Sequence, residues 1–344
     1  MSASPHAHSH FATPRMMQDV IIAMTPAMIA AFLLFGWRSI LVTAVSVISC
    51  VFFEWLVRRI LKRPCSLNDY SAVVTGILLA FNLPVSIPIW MIVFGAAVAI
   101  IVVKQFFGGI GQNFVNPALM GRIVLLSSFP TQMATWTESG LWQHLNPANP
   151  NLTRLQSFMG VDAVTVASPL HELANYQGSE SLSELPSLLD MFLGRRAGSI
   201  GETCIFALII GLIYLLYRRV IEATIPVYYI GTVAIFMLLI GKFDLTYLAY
   251  QLLAGGLFLG AIFMATDYST CPLHRKGKII YAIGCGLLTS LIRVYGSLPE
   301  GTSFAIILMN LLVPLIERYT IPKPFGTPKV SRLAKLKQMK KKEA

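Results

Sequence analysis

Residues 20–37, Val-Ile-Ile-Ala-Met-Thr-Pro-Ala-Met-Ile-Ala-Ala-Phe-Leu-Leu-Phe-Gly-Trp, run for eighteen positions without a charged side chain. Arg38 interrupts, and residues 39–57 repeat the pattern with a single acid, Glu54. A helix of about 20 apolar residues spans the hydrocarbon of a bilayer. Two such stretches back to back read as a membrane hairpin, because a helix satisfies its own backbone hydrogen bonds in lipid. The pattern recurs at about 69–83, 87–103, 113–129, 200–217, 224–240, 245–265, 278–295 and 302–317. The chain is therefore expected to be an all-α polytopic membrane protein with about ten transmembrane helices.

Composition points the same way. Hydrophobic residues make up 55% of the 344 and charged residues 12%, with mean hydropathy +0.67. Soluble domains carry about 25% charged residues. The apolar stretches are many, so a signal peptide does not explain them. A net charge of +11 would suggest nucleic acid as a partner of a soluble protein, but here the basic residues cluster at the ends of apolar stretches. With the N-terminus cytoplasmic, 20 of the 27 Lys and Arg fall on the cytoplasmic side and six outside, with Arg122 inside a span. That bias sets the expected orientation and makes lipid, with no nucleic acid, the expected surrounding.

The expected organisation has a cytoplasmic tail at 1–19, a first five-helix half at 20–129, an extracytoplasmic loop at 130–199, a second five-helix half at 200–317, and a basic cytoplasmic tail at 318–344. An odd number of spans per half makes the second half run inverted. The third span ends in Phe81-Asn82-Leu83-Pro84 and the eighth in Thr266-Asp267-Tyr268-Ser269-Thr270-Cys271-Pro272, both polar and broken by proline. The fifth and tenth spans each follow a Gly-rich approach, at 108–111 and 296–301, and then carry small residues with an Asn. Interrupted helices at matching positions point to a binding site near the midplane. A loop of some seventy residues is long enough to be functional, and Trp136, Trp142, Phe158 and Tyr176 suggest that it folds in part.

Arg122 and Glu54 lie within spans, where a charge costs at least a few kcal/mol unless paired or wetted. Each reads as part of a cation path or as half of a structural ion pair. The stretch Asp267–Lys278 combines a carboxylate, hydroxyls and basic residues at a cytoplasmic mouth, suited to an anionic cofactor or a soluble electron-transfer partner. Arg293 and Glu300 border the opposite face and read as a structural pair. The cysteines at 50, 65, 204, 271 and 285 contain no CxxC, so no iron–sulfur site is expected from this chain alone. His6, His8 and His10 fall in a polar tail expected to be disordered. No metal-ligand spacing or hydrolytic triad is seen, and the glycines at 108–111 follow no strand, which argues against a dinucleotide fold.

Within the long loop, Asp162-Ala-Val-Thr-Val-Ala-Ser-Pro-Leu170 offers two hydroxyls, Thr165 and Ser168, downstream of one carboxylate. Pro169 biases Ser168 toward an extended backbone, which presents its hydroxyl outward. The segment reads as a turn or as a target for a modifying enzyme.

Several blocks resemble the RnfD/NqrB membrane subunits of ion-translocating electron-transport complexes. They are Gly108 to Arg122 (GGIGQNFVNPALMGR), Asp162 to Leu170, and Ala265 to Lys323, with Leu288-Thr-Ser-Leu-Ile-Arg293 and Leu308-Met-Asn-Leu-Leu-Val-Pro-Leu-Ile316 at the core of the last. The resemblance covers nearly the whole chain and is nearest to the RnfD side of the family, since the N-terminal extension usual in the NqrB quinone-reductase subunits is absent. It implies ten helices in two inverted halves, and an FMN bound covalently through its phosphate to a hydroxyl of the outer loop. It also implies a second, non-covalent flavin, riboflavin or FMN. The attachment pattern, Asp-x-x-Ser/Thr-Gly-Ala-Thr, lays Asp162, Thr165 and Ala167 on its first, fourth and sixth positions and makes Ser168 the acceptor, with Thr165 as the alternative. Val166 stands where the pattern has Gly, and serine where it has threonine. Tyr268 and Cys271 stand where the family usually has Pro and Ser. Arg122 and Asp267 are then further flavin-binding positions. The implied protein is not active alone: it is a flavoprotein and, through the phosphoester, a phosphoprotein of the bacterial inner membrane. Its partners would be the A, B, C, E and G subunits of the Rnf complex and a flavin transferase, moving electrons between ferredoxin and NAD with Na+ or H+ transport. An NqrB-like subunit of a quinone reductase, and a non-redox channel or secondary transporter of the same architecture, are the alternatives.

Overall fold

Helices occupy each of the ten apolar stretches. The computed structural model describes residues 13–64, 66–137, 165–166, 169–174, 185–296 and 300–322. The first half comprises α1 (Thr13–Phe35), α2 (Trp37–Ile60), α3 (Ser71–Phe81), α4 (Ile89–Gln105) and α5 (Pro117–Ser128). The second comprises α6 (Ile205–Tyr217), α7 (Thr224–Ile240), α8 (Leu245–Leu253), α9 (Leu257–Met264), α10 (Arg275–Tyr295) and α11 (Thr302–Thr320). Four of these, α1, α2, α10 and α11, are long and apolar enough to cross a membrane unaided, and α8 with α9 makes a fifth candidate bent by 62°. The protein is thus a predominantly helical, multi-pass membrane protein.

The packing is inside-out relative to a soluble bundle. Ile22, Ile29, Ile48, Ile213, Val227 and Ile235 face outward, as lipid requires, whereas Glu54, Asn82, Lys104, Arg122 and Asn310 are buried inside. Small residues let the backbones close up. A Cβ on Gly76 of α3 would lie 2.7 Å from the Val47 Cα of α2, and Ser46 Oγ donates to Gly76 O at 2.7 Å. Gly211 of α6 sits as tightly against Ala23 O of α1, and Gly286 of α10 against Tyr229 O of α7. Asp19 of α1 accepts from Tyr214 and Arg218 at the far end of α6.

Several expected ends move, each for a local reason. The first helix starts at Thr13, within the stretch read as tail, and stops at Phe35 because Gly36, at φ 72°, reverses the chain into α2. The span expected at 113–129 begins at Pro117, because Asn116 caps it with Oδ1 accepting from Ala118 N and Leu119 N. The span expected from 200 begins at Ile205, since Ile200 N–H and Gly201 N–H donate instead to the carbonyls of Leu83 and Phe81. The span expected at 245–265 breaks at Ala254–Gly256, where Gly255 has φ 66°. In the loop read as partly folded, Trp136–Thr137 pairs antiparallel with Thr165–Val166. Short helices form at Pro130–Met133, Pro169–Ala174 and Leu188–Leu193. The stretch read as the basic C-terminal tail begins inside α11, which runs to Thr320, and Trp142, Phe158, Tyr176, the His-bearing tail, Cys65 and residues 323–344 lie outside the described residues.

Candidate functional site

Helix α3 carries one polar constellation at each end, separated by its eleven residues, about 16 Å of helix. At its first residue, Ser71 Oγ accepts from Lys104 Nζ at 2.6 Å. Lys104 also donates to Glu54 Oε2 at 2.7 Å, and both charges are buried. Ser66 Oγ donates to Glu54 Oε1 at 2.6 Å, with Arg58 Nε 3.8 Å away. Two helices therefore share a fully partnered carboxylate. Lys104, expected among the flanking charges of a cytoplasmic loop, is 1% exposed. The reason is a switch of α4 into π-helix over Val98–Gln105, a wide turn that rotates the helix end inward. Such turns recur at functional sites.

Lys104 lines a small cavity of about 80 Å³ between the halves, well below the about 300–1,000 Å³ of small-molecule sites. The walls come from α1 (Met16, Met17), the approach to α5 (Asn113, Asn116) and the end of the eighth span (Thr266, Asp267). Asn113 Oδ1 is buried without a hydrogen-bond partner. Asn116 Nδ2 donates to Met264 O at 3.3 Å, so one residue caps α5 and ties it to the π-helical end of α9. Asn116→Ala is expected to cost about 1 kcal/mol for the cap and to lower the thermal unfolding midpoint of the detergent-solubilised protein accordingly. Asp267 accepts from Ser269 N–H, Ser269 Oγ and Thr270 Oγ1. Loss of water around it raises its pKa above the ordinary carboxyl value, against the pull of those bonds.

At the other end of α3, Asn82 Oδ1 accepts from Arg122 Nη1 at 3.0 Å. The same nitrogen donates to Ser303 Oγ at 2.8 Å, and Nη2 pairs with Glu300. Arg122 is 3% exposed, and its Nε has no partner among the described residues. The pair expected between Arg293 and Glu300 does not form. Arg293 instead donates to the carbonyls of Gln251 and Ala254 at 2.6 and 3.1 Å, groups freed where α8 breaks, and leaves Glu300 to Arg122. Arg196 donates to Glu202 O at 2.8 Å and Gly255 O at 3.4 Å. Burial lowers the Arg196 pKa to about 10, with Glu202 opposing.

Of the expected site residues, Arg122 is buried and Asp267 half-buried, both in polar surroundings, but they sit in separate constellations, Asp267 on the cavity and Arg122 at the far end of α3. Asp162, Ala167 and Ser168 lie outside the described residues, and Thr165 is placed by its backbone, opposite Thr137. Leu170, two residues past Ser168, is buried and faces Gly255, where Arg293 Nη2 also approaches. Lys104, Asn82, Ser303 and Glu202 were not among the expected site residues. Depth within an apolar stretch was the signal for Arg122, and Asn82 carried the same signal.

A sequence profile of the NQR2, RnfD, RnfE family matches residues 1–326. The chain is 45% identical to the D subunit of the Na(+)-translocating ferredoxin:NAD(+) oxidoreductase complex of Acetobacterium woodii, over 97% of this chain and 98% of the relative. It is 40% identical to the proton-translocating counterpart of Clostridium ljungdahlii, over 95% and 96%. It is 35% identical to the D subunit of the ion-translocating oxidoreductase complex of Vibrio atlanticus, over 95% and 99%.

Proposed function

This chain belongs to the NQR2, RnfD, RnfE family, and on that footing we propose that it is the D subunit of an ion-translocating ferredoxin:NAD+ oxidoreductase complex. The carrying observation is the end-to-end match at 45% identity to a protein of that name. The chain is part of an enzyme complex and acts with other subunits, which we take to be the A, B, C, E and G subunits, and with a flavin transferase that matures it.

We place it in the bacterial inner membrane with ten spans, both termini cytoplasmic and residues 130–199 outside, on the strength of the 20-of-27 bias in Lys and Arg. Two inverted halves are supported by packing that repeats. In the first half α2 packs on α3 and α4, α4 on α5, and α1 on α3. In the second α7 packs on α9 and α10, α10 on α11, and α6 on α9. The halves meet through α1 with α6 and α5 with α11. Helices α3, α5 and α9 are half-length, and their broken ends carry the two polar constellations.

The cofactor reading assigns FMN to Ser168 through a phosphoester, with Asp162, Thr165 and Ala167 completing the attachment pattern. Its support is local tethering and charge. The segment is held on one side by the Thr165–Val166 pairing and on the other by Leu170 at Gly255. Arg196 and Arg293 converge on that same bend, each with a buried Nε–H free of partners among the described residues, which suits an anionic group. For a second, non-covalent flavin the cavity offers an acceptor in Asn113 Oδ1 and a donor in Lys104, but at about 80 Å³ it does not enclose a flavin. Bound flavin would accept and pass on electrons. The protein's own groups do the rest: the guanidiniums hold negative charge, and the apolar walls from Met17, Val20, Leu78 and Phe263 exclude water.

The test is a denaturing gel under ultraviolet light, on protein from cells competent in flavin transfer. A fluorescent band is expected that survives denaturation and is lost in Ser168→Ala. A dark wild-type band overturns the covalent flavin. A band that persists in Ser168→Ala and vanishes in Thr165→Ala moves the acceptor to Thr165.

A further inference from the structure

Helix α2 carries one stripe that the described residues leave uncovered. Ile48, Phe52, Trp55 and Arg59 follow one another at steps of four, three and four, so they share a helix face, and all are exposed. Along that face the chemistry is ordered: aliphatic, then aromatic, then cationic. From Ile48 to Arg59 is about 16 Å of helix, roughly half of the ~30 Å hydrocarbon layer. The stripe therefore runs the depth of one leaflet. Trp55 stands where the apolar layer meets the headgroups, a level at which indoles are enriched. The Arg59 guanidinium lies over the Trp55 ring at 5.5 Å, and the Phe52 ring centroid is 6.1 Å from that of Trp55.

Where this face ends, the chain turns sharply. Leu61 N–H donates to Val57 O and Arg63 N–H to Arg58 O, both at 2.9 Å, with Lys62 between them at φ 51°. The turn gathers Arg58, Arg59, Lys62 and Arg63, and two of these are already engaged. Arg58 Nη1 donates to Pro64 O at 2.7 Å with its Nε 3.8 Å from Glu54, and Arg63 Nη1 donates to Gln105 O at 3.4 Å. Arg59 and Lys62 are exposed and pair with no carboxylate among the described residues. Two cations without counter-ions, directly beyond an apolar face of leaflet depth, complement a phosphate above an acyl chain. We propose that this face of α2 and the turn that ends it bind an anionic phospholipid. Its chain lies along Ile48 and Phe52, its ester region at Trp55, and its phosphate between Arg59 and Lys62. A helix of a partner subunit would match the apolar part of the stripe but has no need of cations at its end. The flavin reading does not enter. The orientation proposed above only assigns the site to the cytoplasmic leaflet, where juxtamembrane basic residues meet anionic lipid.

The full-length chain is reconstituted in vesicles of phosphatidylcholine and phosphatidylglycerol, mixed alike in both leaflets, with bromine on the chains of one lipid or the other. Quenching at Trp55 is read as the difference between the protein and its Trp55→Phe variant, and the two brominated mixtures give the relative affinity of the two lipids there. Phosphatidylglycerol is expected to be preferred, and Arg59→Gln and Lys62→Gln each to cut the preference about fivefold. Arg219→Gln is the comparison. Arg219 is also exposed at the end of a helix, α6, but it stands two residues past Tyr217, the last of the exposed stripe Phe206, Ile210, Ile213 and Tyr217, and so faces elsewhere. Its loss removes the same charge and should leave the preference at Trp55 unchanged. Equal quenching by both lipids overturns the inference, as does a preference that Arg219→Gln lowers as far as Arg59→Gln does. Inorganic phosphate added at matched ionic strength should not displace the lipid; displacement would make the turn a site for free phosphate and overturn the inference. Co-purification of the other subunits with Lys62→Gln is read in parallel. A subunit lost while the lipid preference stays intact would make the turn a protein dock instead.

Discussion

Glu300→Leu is expected to destabilise the protein by about 3–5 kcal/mol, the cost of leaving a buried charge without its counter-ion. Arg122 is 3% exposed and its remaining hydrogen-bond partners, Asn82 Oδ1 and Ser303 Oγ, are neutral, with Glu202 acting on it only through space. Neither compensates a full positive charge, and no water of bulk polarity surrounds it at that depth. The variant should show a lowered thermal midpoint of intrinsic fluorescence in detergent. Arg122→Met combined with Glu300→Leu is expected to recover most of the loss, since replacing both members of a buried pair by apolar groups is often neutral. Lys278→Met serves as the comparison. Its partner Glu222 has a side chain 60% exposed, and such a pair contributes about 0–1 kcal/mol. A Glu300→Leu midpoint indistinguishable from that of Lys278→Met would mean that Glu300 does not neutralise Arg122.

Much of the architecture was legible in the chain because it is written locally. The stretch expected at 224–240 is helix α7 at Thr224–Ile240, bounded by charges on one side and Gly241 on the other. Burial of Glu54 and Arg122 in the interior followed from their depth in apolar runs. What was not legible depends on partners far along the chain. Nothing near Ile200 and Gly201 announces that their N–H groups will serve carbonyls at Leu83 and Phe81. Nothing near Lys104 announces a π-turn, and a lysine ending an apolar run reads as a flank. Arg293 and Glu300 misled by being neighbours: seven residues apart, they invite pairing, yet the break at Ala254 leaves open carbonyls that the guanidinium takes instead. The proposed flavin acceptor is of another kind. A serine before a proline is common chemistry, and Ser168 stands out through resemblance to an attachment pattern alone.

The second large effect is expected at Gly201, in the segment that bridges the halves. A Cβ there would lie 2.2 Å from Phe81 Cγ and 2.3 Å from Phe81 Cβ, far inside contact distance. Phe81 has no room to give, being fully buried at the end of α3. Gly201 is itself pinned, since its N–H donates to Phe81 O at 3.0 Å while Ile200 N–H donates to Leu83 O at 3.1 Å. Gly201→Ala must therefore push the segment off the helix end. Overpacking costs about 1–3 kcal/mol, and each of the two hydrogen bonds put at risk contributes about 1 kcal/mol more. The sum is comparable to the loss of Glu300, and it falls on Asn82, whose carbonyl and amide stand between the two bonds and orient toward Ser199 and Arg122. Gly231→Ala is the control, because no atom lies within 4 Å of its Cβ position. In the interior of α7 that change is expected to be neutral or stabilising by up to about 1 kcal/mol. Adding Phe81→Leu to Gly201→Ala should restore part of the lost midpoint by opening the space the new methyl needs. If the single variant melts with the Gly231→Ala protein, the bridging segment is not seated on α3, and the tie between the second half and the broken end of the third span is absent.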